Sequence, residues 1–314
     1  MVILQALTYL VIIVAAIALI RRGLKIANAP THFRWEIYPV PHERGRSQWG
    51  GSRLEETNWW EKEQKPDVIN EMKEMAGEIL LLKGVREHNQ PLWIGSFPFH
   101  FALYMFMANI GLMLVAAVML LTGNEVGAGA GWFGQLIYWL VNICVWGGGI
   151  IGTLGALRLL FQRIVDSGMN AYSTPSHFFN LILIGAIFAT ALIWIATEPR
   201  FIYQAAGFYA GLITFSAPPE LPFIGVLNVI LTLFFILYLP FTHMTHFFTK
   251  YFIYHNVRWE DAPNVSGGKM QKEIEKLLNQ PVTWAAPHIG ADGQKTWLAV
   301  ASSTSSKEKE NENG

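Results

Sequence analysis

Long runs of apolar residues dominate the pattern of this chain. Five of them reach about 20 residues or more without any Asp, Glu, Lys or Arg, and they cover residues 2–20, 97–122, 132–157, 177–197 and 222–249. A helix of about 20 apolar residues crosses the hydrocarbon core of a bilayer, which is ~30 Å thick. The pattern therefore predicts an all-α membrane protein built as a bundle of five transmembrane helices.

Two other stretches have a pattern of their own. Residues 201–216 are apolar but too short to span, and we expect a re-entrant or interfacial piece there. After Pro66, apolar residues recur at helical spacing with Glu and Lys between them. This pattern predicts an amphipathic cytoplasmic helix that lies against the lipid headgroups or under a partner subunit.

The basic residues predict the orientation of the bundle. With five spans, 22 of the 23 Lys and Arg residues fall on the same side, and basic residues favour the cytoplasmic side. We therefore expect a multi-pass protein of the cell membrane with its N-terminus outside and its C-terminus in the cytoplasm. The first run lacks a basic start and a cleavage site, so we interpret it as a retained anchor.

These features divide the chain into four predicted parts. Residues 1–21 form an N-terminal transmembrane anchor, and residues 22–96 form a cytoplasmic connection that contains the amphipathic helix. Residues 97–249 form a four-helix membrane domain. Residues 250–314 form a cytoplasmic tail, and its last residues are expected to be disordered because they are too polar to fold.

Composition narrows the possible chemistry. Charged residues make up 15% of the chain, against roughly 25% in soluble proteins, and the equal numbers of acidic and basic residues do not indicate a nucleic-acid partner. The single cysteine, Cys144, excludes a disulfide scaffold, an iron–sulfur cluster held by this chain alone, and a c-type haem. A redox metal would have to be held by histidine, methionine or a partner subunit.

Four of the nine histidines lie within the apolar runs: His100, His177, His243 and His246. Ionisable side chains inside spans are costly and usually mark a functional site. Counting from the helix ends places all four in one layer near the cytoplasmic side, on three different spans. The outer half of the predicted bundle contains no histidine.

This layer suits axial ligation of a haem. Haem iron accepts an imidazole on each face, and two facing helices can supply the pair at matching depth. His100 with His246 meets this condition, and His243 with His177 is a second possible pair. Pro240, one turn earlier, removes a backbone hydrogen bond and is expected to bend the last span.

Other roles are open for these side chains. His177 could hydrogen-bond at a helix end, and His243 could be a hydrogen-bond donor to a quinone or a polar cap. Zinc sites and proton relays also use histidines. In the third span, Gly148, Gly152 and Ala156 have the spacing of a close helix–helix contact, with room for a flat macrocycle as the alternative.

Three segments carry a resemblance to a known family: SFPFH (96–100), LPFTHMTHFF (239–248) and KYFIYHNVRWEDAPN (250–264). They resemble the membrane subunit of the sulfite-reduction-associated DsrMKJOP complex (DsrM, or HmeC in archaea). That subunit is grouped with the gamma subunits of respiratory nitrate reductase and the membrane subunit of methanogen heterodisulfide reductase. The similarity covers about residues 59 to 264.

The resemblance implies a b-type cytochrome that relays electrons in sulfur-compound respiration. Electrons would pass between menaquinone or menaquinol and a cytoplasmic iron–sulfur subunit similar to the catalytic subunit of heterodisulfide reductase. Other membrane and periplasmic subunits would complete the complex. The chain itself would be an electron-transfer subunit without catalytic residues for bond chemistry.

The family pattern transfers only in part. Relatives carry a second histidine about ten residues after the first in the second span, and another about 18 residues before the last. Here these positions fall at Ile110, beside Asn109, and at Asn228. One haem b, held by His100 and His246, is therefore expected. The possible ligands of a second haem are His177 with His243, a methionine (Met105, Met107 or Met113) or, more remotely, His255.

Two other classes of function compete with the cytochrome. A histidine-based proton pathway or transporter subunit is disfavoured because the spans lack acidic residues and paired broken helices. A cofactor-free membrane anchor is disfavoured by the layer of histidines.

Overall fold

The computed structural model describes residues 1–29, 40–46, 51–63 and 65–303. These residues are mostly helical. In chain order the helices are α1 (Val2–Ala27), α2 (Val68–Leu80), α3 (Lys83–His88), α4 (Gln90–Leu121), α5 (Trp132–Asn142), α6 (Gly148–Val165), α7 (Ser167–Ala171), α8 (Pro175–Thr197), α9 (Phe201–Thr214), α10 (Phe223–Tyr238), α11 (His246–Ile253), α12 (Lys269–Leu278) and α13 (Trp297–Ser302). Two short strands, β1 (Ala285–Ala286) and β2 (Ala291–Asp292), pair antiparallel.

Five helical segments are long and apolar enough to cross a membrane: Val2–Ala27, Gln90–Leu121, Trp132–Val165, Pro175–Thr197 and Phe223–Phe241. The third of them joins α5 to α6 through a π-helical turn, Ile143–Gly147. The predicted all-α membrane bundle with five spans is thus confirmed, and the chain is a membrane protein.

The chain divides into two compact units. The first, here called the membrane unit, comprises Met1–Gly23 and Ile69–Phe248. The second, the polar unit, is formed by the described residues of Leu24–Val68 and Thr249–Gly314. The boundaries differ from the four predicted parts because residues from the long connection and from the tail cluster together.

Glycines of α6 allow the neighbouring spans to come close. A Cβ atom at Gly152 would lie 2.4 Å from the Phe188 ring of α8, and one at Gly155 would lie 3.0 Å from the backbone nitrogen of Phe99 on α4. The space beside these glycines is therefore filled by neighbouring spans, as in other small-residue helix contacts. This geometry supports the helix-packing interpretation over room for a macrocycle.

Helix α9 corresponds to the short apolar stretch 201–216. Its buried side includes Phe201, Gln204 and Phe208, and it packs against α4. The Trp194 indole Nε1 donates a hydrogen bond to Gln204 Oε1 at 3.0 Å. This bond satisfies two polar groups that would otherwise be costly to bury.

The amphipathic helix predicted after Pro66 is α2. The Tyr104 hydroxyl of α4 donates to the carbonyl of Ile79, and Trp93 Nε1 donates to the carbonyl of Leu81 at 2.9 Å. Both bonds hold the C-terminal end of α2 against α4. Ile69 and Met72, on the other hand, are 69% and 66% exposed, so the described residues leave an apolar face of α2 uncovered.

An ion pair joins α2 to α3. Lys83 Nζ lies 2.5 Å from Glu74 Oε1. The hydrogen bond to this carboxylate raises the pKa of the Lys83 ammonium above its ordinary value, so Lys83 is charged at neutral pH.

The last apolar run is not one continuous helix. α10 ends at Tyr238, and two 3₁₀ turns, Leu239–Phe241 and His243–Thr245, follow before α11 begins at His246. Thr242, between the turns, is extended with φ −119° and ψ 173°. Pro240 cannot donate a backbone hydrogen bond and its ring is incompatible with a regular helix interior. The sequence predicted a bend at this proline, whereas the structure has a break.

The polar unit is organised around a buried aromatic side chain and ionic contacts. Trp259 is 2% exposed. Asp261 lies 2.8 Å from His42 Nε2 and also pairs with Arg53. Two residues of the connection are thereby joined to the segment that follows the last span.

Part of the predicted tail is also folded. Val282, Ala286 and Ala291 form a small apolar cluster around the β1–β2 pair. The polar composition of this region therefore did not predict this small folded element. The disorder predicted for the end of the tail falls mostly on residues 304–314, which lie outside the described residues.

The close packing at Gly155 predicts that substitution by alanine changes stability differently at Gly155 and at Gly111. Gly155→Ala should destabilise the bundle by about 1–3 kcal/mol, because the added methyl group meets the backbone of Phe99. Gly111→Ala on α4 is the matched control, since no heavy atom lies within 4 Å of its Cβ position; it should raise stability by up to about 1 kcal/mol. Thermal unfolding in detergent measures both, and equal effects would contradict the packing described.

Candidate cofactor site

His100 lies on α4, one turn after Ser96. Its ring nitrogen Nδ1 is 2.7 Å from the carbonyl oxygen of Ser96, and the Ser96 hydroxyl is 3.3 Å from the same nitrogen. Because a carbonyl oxygen only accepts, Nδ1 carries the proton in the neutral ring and Nε2 carries the lone pair. The helix therefore fixes both the orientation and the tautomer of this imidazole.

His246 is held in the same manner by a different element. It is the first residue of α11, and its Nδ1 lies 3.1 Å from the carbonyl oxygen of His243. The 3₁₀ turn after Thr242 places that carbonyl three residues earlier. His246 is an exposed side chain within this chain, and its Nε2 also carries the lone pair in the neutral ring.

The rings of His100 and His246 lie side by side in the membrane unit. Their centres are 6.1 Å apart and their planes are inclined by 67°. A metal–imidazole bond is about 2.0 Å long, so two rings that ligate one ion from opposite sides have centres about 6 Å apart. The separation of the ring centres is therefore in the range expected for two imidazoles that ligate one iron.

The second pair has a different geometry. The ring centres of His177 and His243 are 4.9 Å apart, with planes inclined by 53°. His177 belongs to the capping box at the start of α8, and its Nδ1 accepts the backbone N–H of Thr174 at 2.9 Å. In the neutral ring the proton must then reside on Nε2.

The two predicted histidine pairs therefore differ in the hydrogen bonds that their ring nitrogens make. Metal-binding histidines usually donate their second N–H to a carbonyl, carboxylate or water, as His100 and His246 do. The His177 lone pair is instead engaged by the backbone of its own helix. The geometry at His177 thus favours the helix-end role, and ligation of a second haem by His177 and His243 stays a prediction.

The other candidate ligands are in varied surroundings. Met113 is buried in the core and is 2% exposed, whereas Met107 is 65% exposed. Met105 lies against the glycines at the end of the π turn. His255 belongs to the polar unit, where its ring stacks on Tyr251 with centres 3.9 Å apart. Among the described residues, no group of three or more His, Cys, Asp or Glu side chains is arranged to hold a metal ion.

The two asparagines noted in the sequence line a common cavity. Asn228 Nδ2 donates to the carbonyl of Ile187 at 2.9 Å and to Thr190 Oγ1 at 2.8 Å. Asn109 Oδ1 is buried and has no hydrogen-bond partner among the residues that the structure describes. The cavity beside both asparagines measures about 200 Å³.

Two features of the molecule were not found from the sequence. The cavity forms where several elements meet, and the polar residues Asn109 and Asn228 within apolar spans were its one sequence signal. The contact of His42 and Arg53 with Asp261 joins residues more than 200 positions apart, and no local pattern predicts it.

Neither a family model, nor a curated protein, nor a solved structure matches this chain. The fold and the site define its class. It is a five-span helical membrane protein in which His100 lies beside His246, and His177 beside His243.

The capping role of His177 leads to a prediction. His177→Ala should lower stability by about 1 kcal/mol through loss of the cap and leave haem per polypeptide unchanged. Thermal unfolding and haem titration measure the two effects. The exposed His88→Ala on α3 is the control and should change neither quantity. Loss of one haem per polypeptide in both His177→Ala and His243→Ala would show instead that this pair ligates iron.

Proposed function

We propose that this protein is a b-type cytochrome, the electron-transfer subunit of an oxidoreductase complex in the cell membrane, in which His100 and His246 would hold the haem. The observation that carries the proposal is the pairing of these rings at 6.1 Å, with both Nδ1 atoms bonded to backbone carbonyls. The orientation proposed is the one that the basic residues favour, with the C-terminus in the cytoplasm.

The residues of this chain position and tune the two ligands. The carbonyls of Ser96 and His243 hold the imidazoles and increase the basicity of their Nε2 atoms. The break at Pro240 releases His246 from the axis of α10 and places it at the start of a separate short helix. Haem, when bound, supplies one-electron chemistry, and the protein supplies its ligands and environment.

The electron partners are proposed from the three segments that resemble the sulfite-reduction-associated membrane subunits. These partners are menaquinone or menaquinol in the membrane and a heterodisulfide reductase-like iron–sulfur subunit in the cytoplasm, with other membrane and periplasmic subunits in the same complex. Cys144 is the sole cysteine, so the thiolates of any cluster must come from a partner. The uncovered apolar face of α2, with Ile69 and Met72, is a suitable docking surface.

The central test is a visible spectrum of the purified protein with and without dithionite. We expect a reduced b-type haem spectrum and a haem that acid–organic extraction removes. His100→Ala and His246→Ala should each abolish the same haem, because each removes one of the two residues that would hold it. His288→Ala is the matched control: it removes an exposed histidine of the polar unit and should leave the haem content unchanged.

Two results of this test would overturn the proposal. Full haem occupancy in either ligand variant would mean that the paired residues were wrongly chosen. A colourless protein from haem-replete cells would leave the histidine-based proton pathway as the better interpretation of the four histidines.

The partner proposal has its own test. Crosslinking of the intact complex should connect the iron–sulfur subunit to residues 66–84, 158–176 or 250–264, all on the predicted cytoplasmic side. Residues 123–131 and 198–221, the second of which includes α9, serve as internal controls because they are predicted to lie on the opposite side. Crosslinks confined to those two segments would contradict both the orientation and the partner.

A further inference from the structure

The first span, α1, packs into the membrane unit along one side. Its buried residues include, at the spacing of one helix face, Leu4, Thr8, Val11 and Ala15. Two of them, Leu4 and Val11, share a core cluster with Leu233 of α10. Arg22 lies two helical turns beyond Ala15 and continues the same face. The basic end of α1 is therefore directed at the last span by the packing of the whole helix.

Arg22 makes a specific contact with the last span. Its Nη1 donates a hydrogen bond to the carbonyl oxygen of Pro240 at 2.7 Å. The side chain is partly buried, whereas its neighbour Arg21 is exposed. An arginine at the end of a span usually extends its charge toward the membrane surface. A hydrogen bond to the backbone of another span is therefore a feature of Arg22 and not a general property of the basic end of α1.

The carbonyl of Pro240 needs this donor because the last span is broken. In a continuous α-helix this carbonyl would accept the backbone N–H of Met244. That N–H donates instead to Thr242 Oγ1 at 3.2 Å. Pro240 is buried, and a buried carbonyl without a donor is costly in an apolar surrounding. Arg22 thus replaces the backbone donor that the break removes.

The same end of α1 also contacts α11. A Cβ atom at Gly23 would lie 3.9 Å from the Phe248 ring, which is an ordinary van der Waals distance. Pro240 precedes the turn that begins at His243, and Phe248 follows His246 on α11. The end of α1 therefore contacts the chain both before and after these two histidines.

We infer that Arg22 is a positioning residue for His246, so that α1 is part of the candidate cofactor site as well as an anchor. By holding the carbonyl of Pro240, Arg22 fixes residues 239–248. The His243 carbonyl that orients the His246 ring belongs to this segment, so a displacement of the segment turns the ring. The consequence for haem rests on the proposed function, whereas the consequence for the backbone does not.

The test compares variants of the full-length protein in detergent micelles. Arg22→Met keeps a long side chain but removes every donor, and Arg22→Lys keeps one charged donor. Arg21→Met is the matched control, because it removes an exposed arginine from the same end of α1. Thermal unfolding checks that each variant is folded, and Arg22→Gln takes the place of Arg22→Met if that variant is not.

The first readout is hydrogen–deuterium exchange of peptides covering residues 239–248, which does not depend on haem. In Arg22→Met we expect these amides to exchange about tenfold faster, because a charge-assisted hydrogen bond is lost. Arg22→Lys should recover most of the protection. Arg21→Met should exchange like the wild type.

The second readout is the electron paramagnetic resonance spectrum of the oxidised protein. Groups that orient a ligand ring tune the metal, and the g-values of a low-spin haem depend on the orientation of its axial rings. Arg22→Met should shift these g-values and weaken haem binding about tenfold, and Arg22→Lys should restore both. A substitution that only destabilised the bundle would lower the unfolding temperature without shifting the g-values.

The outcomes separate this inference from the proposed function. Wild-type exchange and wild-type g-values in Arg22→Met, or equal changes in Arg21→Met, would overturn the role of Arg22 and leave the cytochrome standing. Faster exchange confined to the Arg22 variants of a protein without haem would overturn the cytochrome and leave Arg22 as the residue that holds the broken span.

Discussion

Glycines of α6 stand where a methyl group would collide with side chains or backbone of the two neighbouring spans. Gly152 meets the Phe188 ring of α8, and Gly155 meets the backbone of Phe99 on α4. Phe99 immediately precedes His100, so the close approach of α6 fixes the position of the first proposed ligand. Phe188 is also a wall of the cavity. The histidine pair and the cavity therefore depend on the same glycine-mediated contacts.

A second constraint is the cost of a polar group without a partner in an apolar surrounding. It explains why His100, His246 and Asn228 all donate to backbone carbonyls. His177 also has a backbone partner, but its Nδ1 accepts a hydrogen bond from the N–H of Thr174 at the start of α8. Among the described residues, Asn109 Oδ1 and both side-chain polar atoms of Asn180 are buried without such a partner.

The sequence predicted most of the fold because the bilayer restricts the solutions. Five uncharged apolar runs of this length are most simply explained as five spans. Counting residues from the ends of the spans predicted that His100 and His246 lie at the same depth. Details set by backbone geometry could not be read from spacing. Pro240 predicted a bend, but the helix is broken there. The directions of His243 and His246 therefore cannot be calculated from their positions around one continuous helix. The direction of the hydrogen bond at His177 depends on the cap formed with Thr174, and residue type alone does not determine it.

The π turn at Ile143–Gly147 has a consequence for how the third span is interpreted. Such a turn corresponds to one residue inserted into an α-helix, and each residue advances the helix by about 100°. A single helical wheel drawn through Trp132–Val165 therefore assigns the wrong face to half of the segment. The half before the turn and the half after it need separate wheels joined by that offset. In a sequence alignment, a gap placed wrongly at this turn would assign Gly152 and Gly155 to the wrong face of the helix. The position of a gap in this span therefore determines which residues are taken to contact the neighbouring spans.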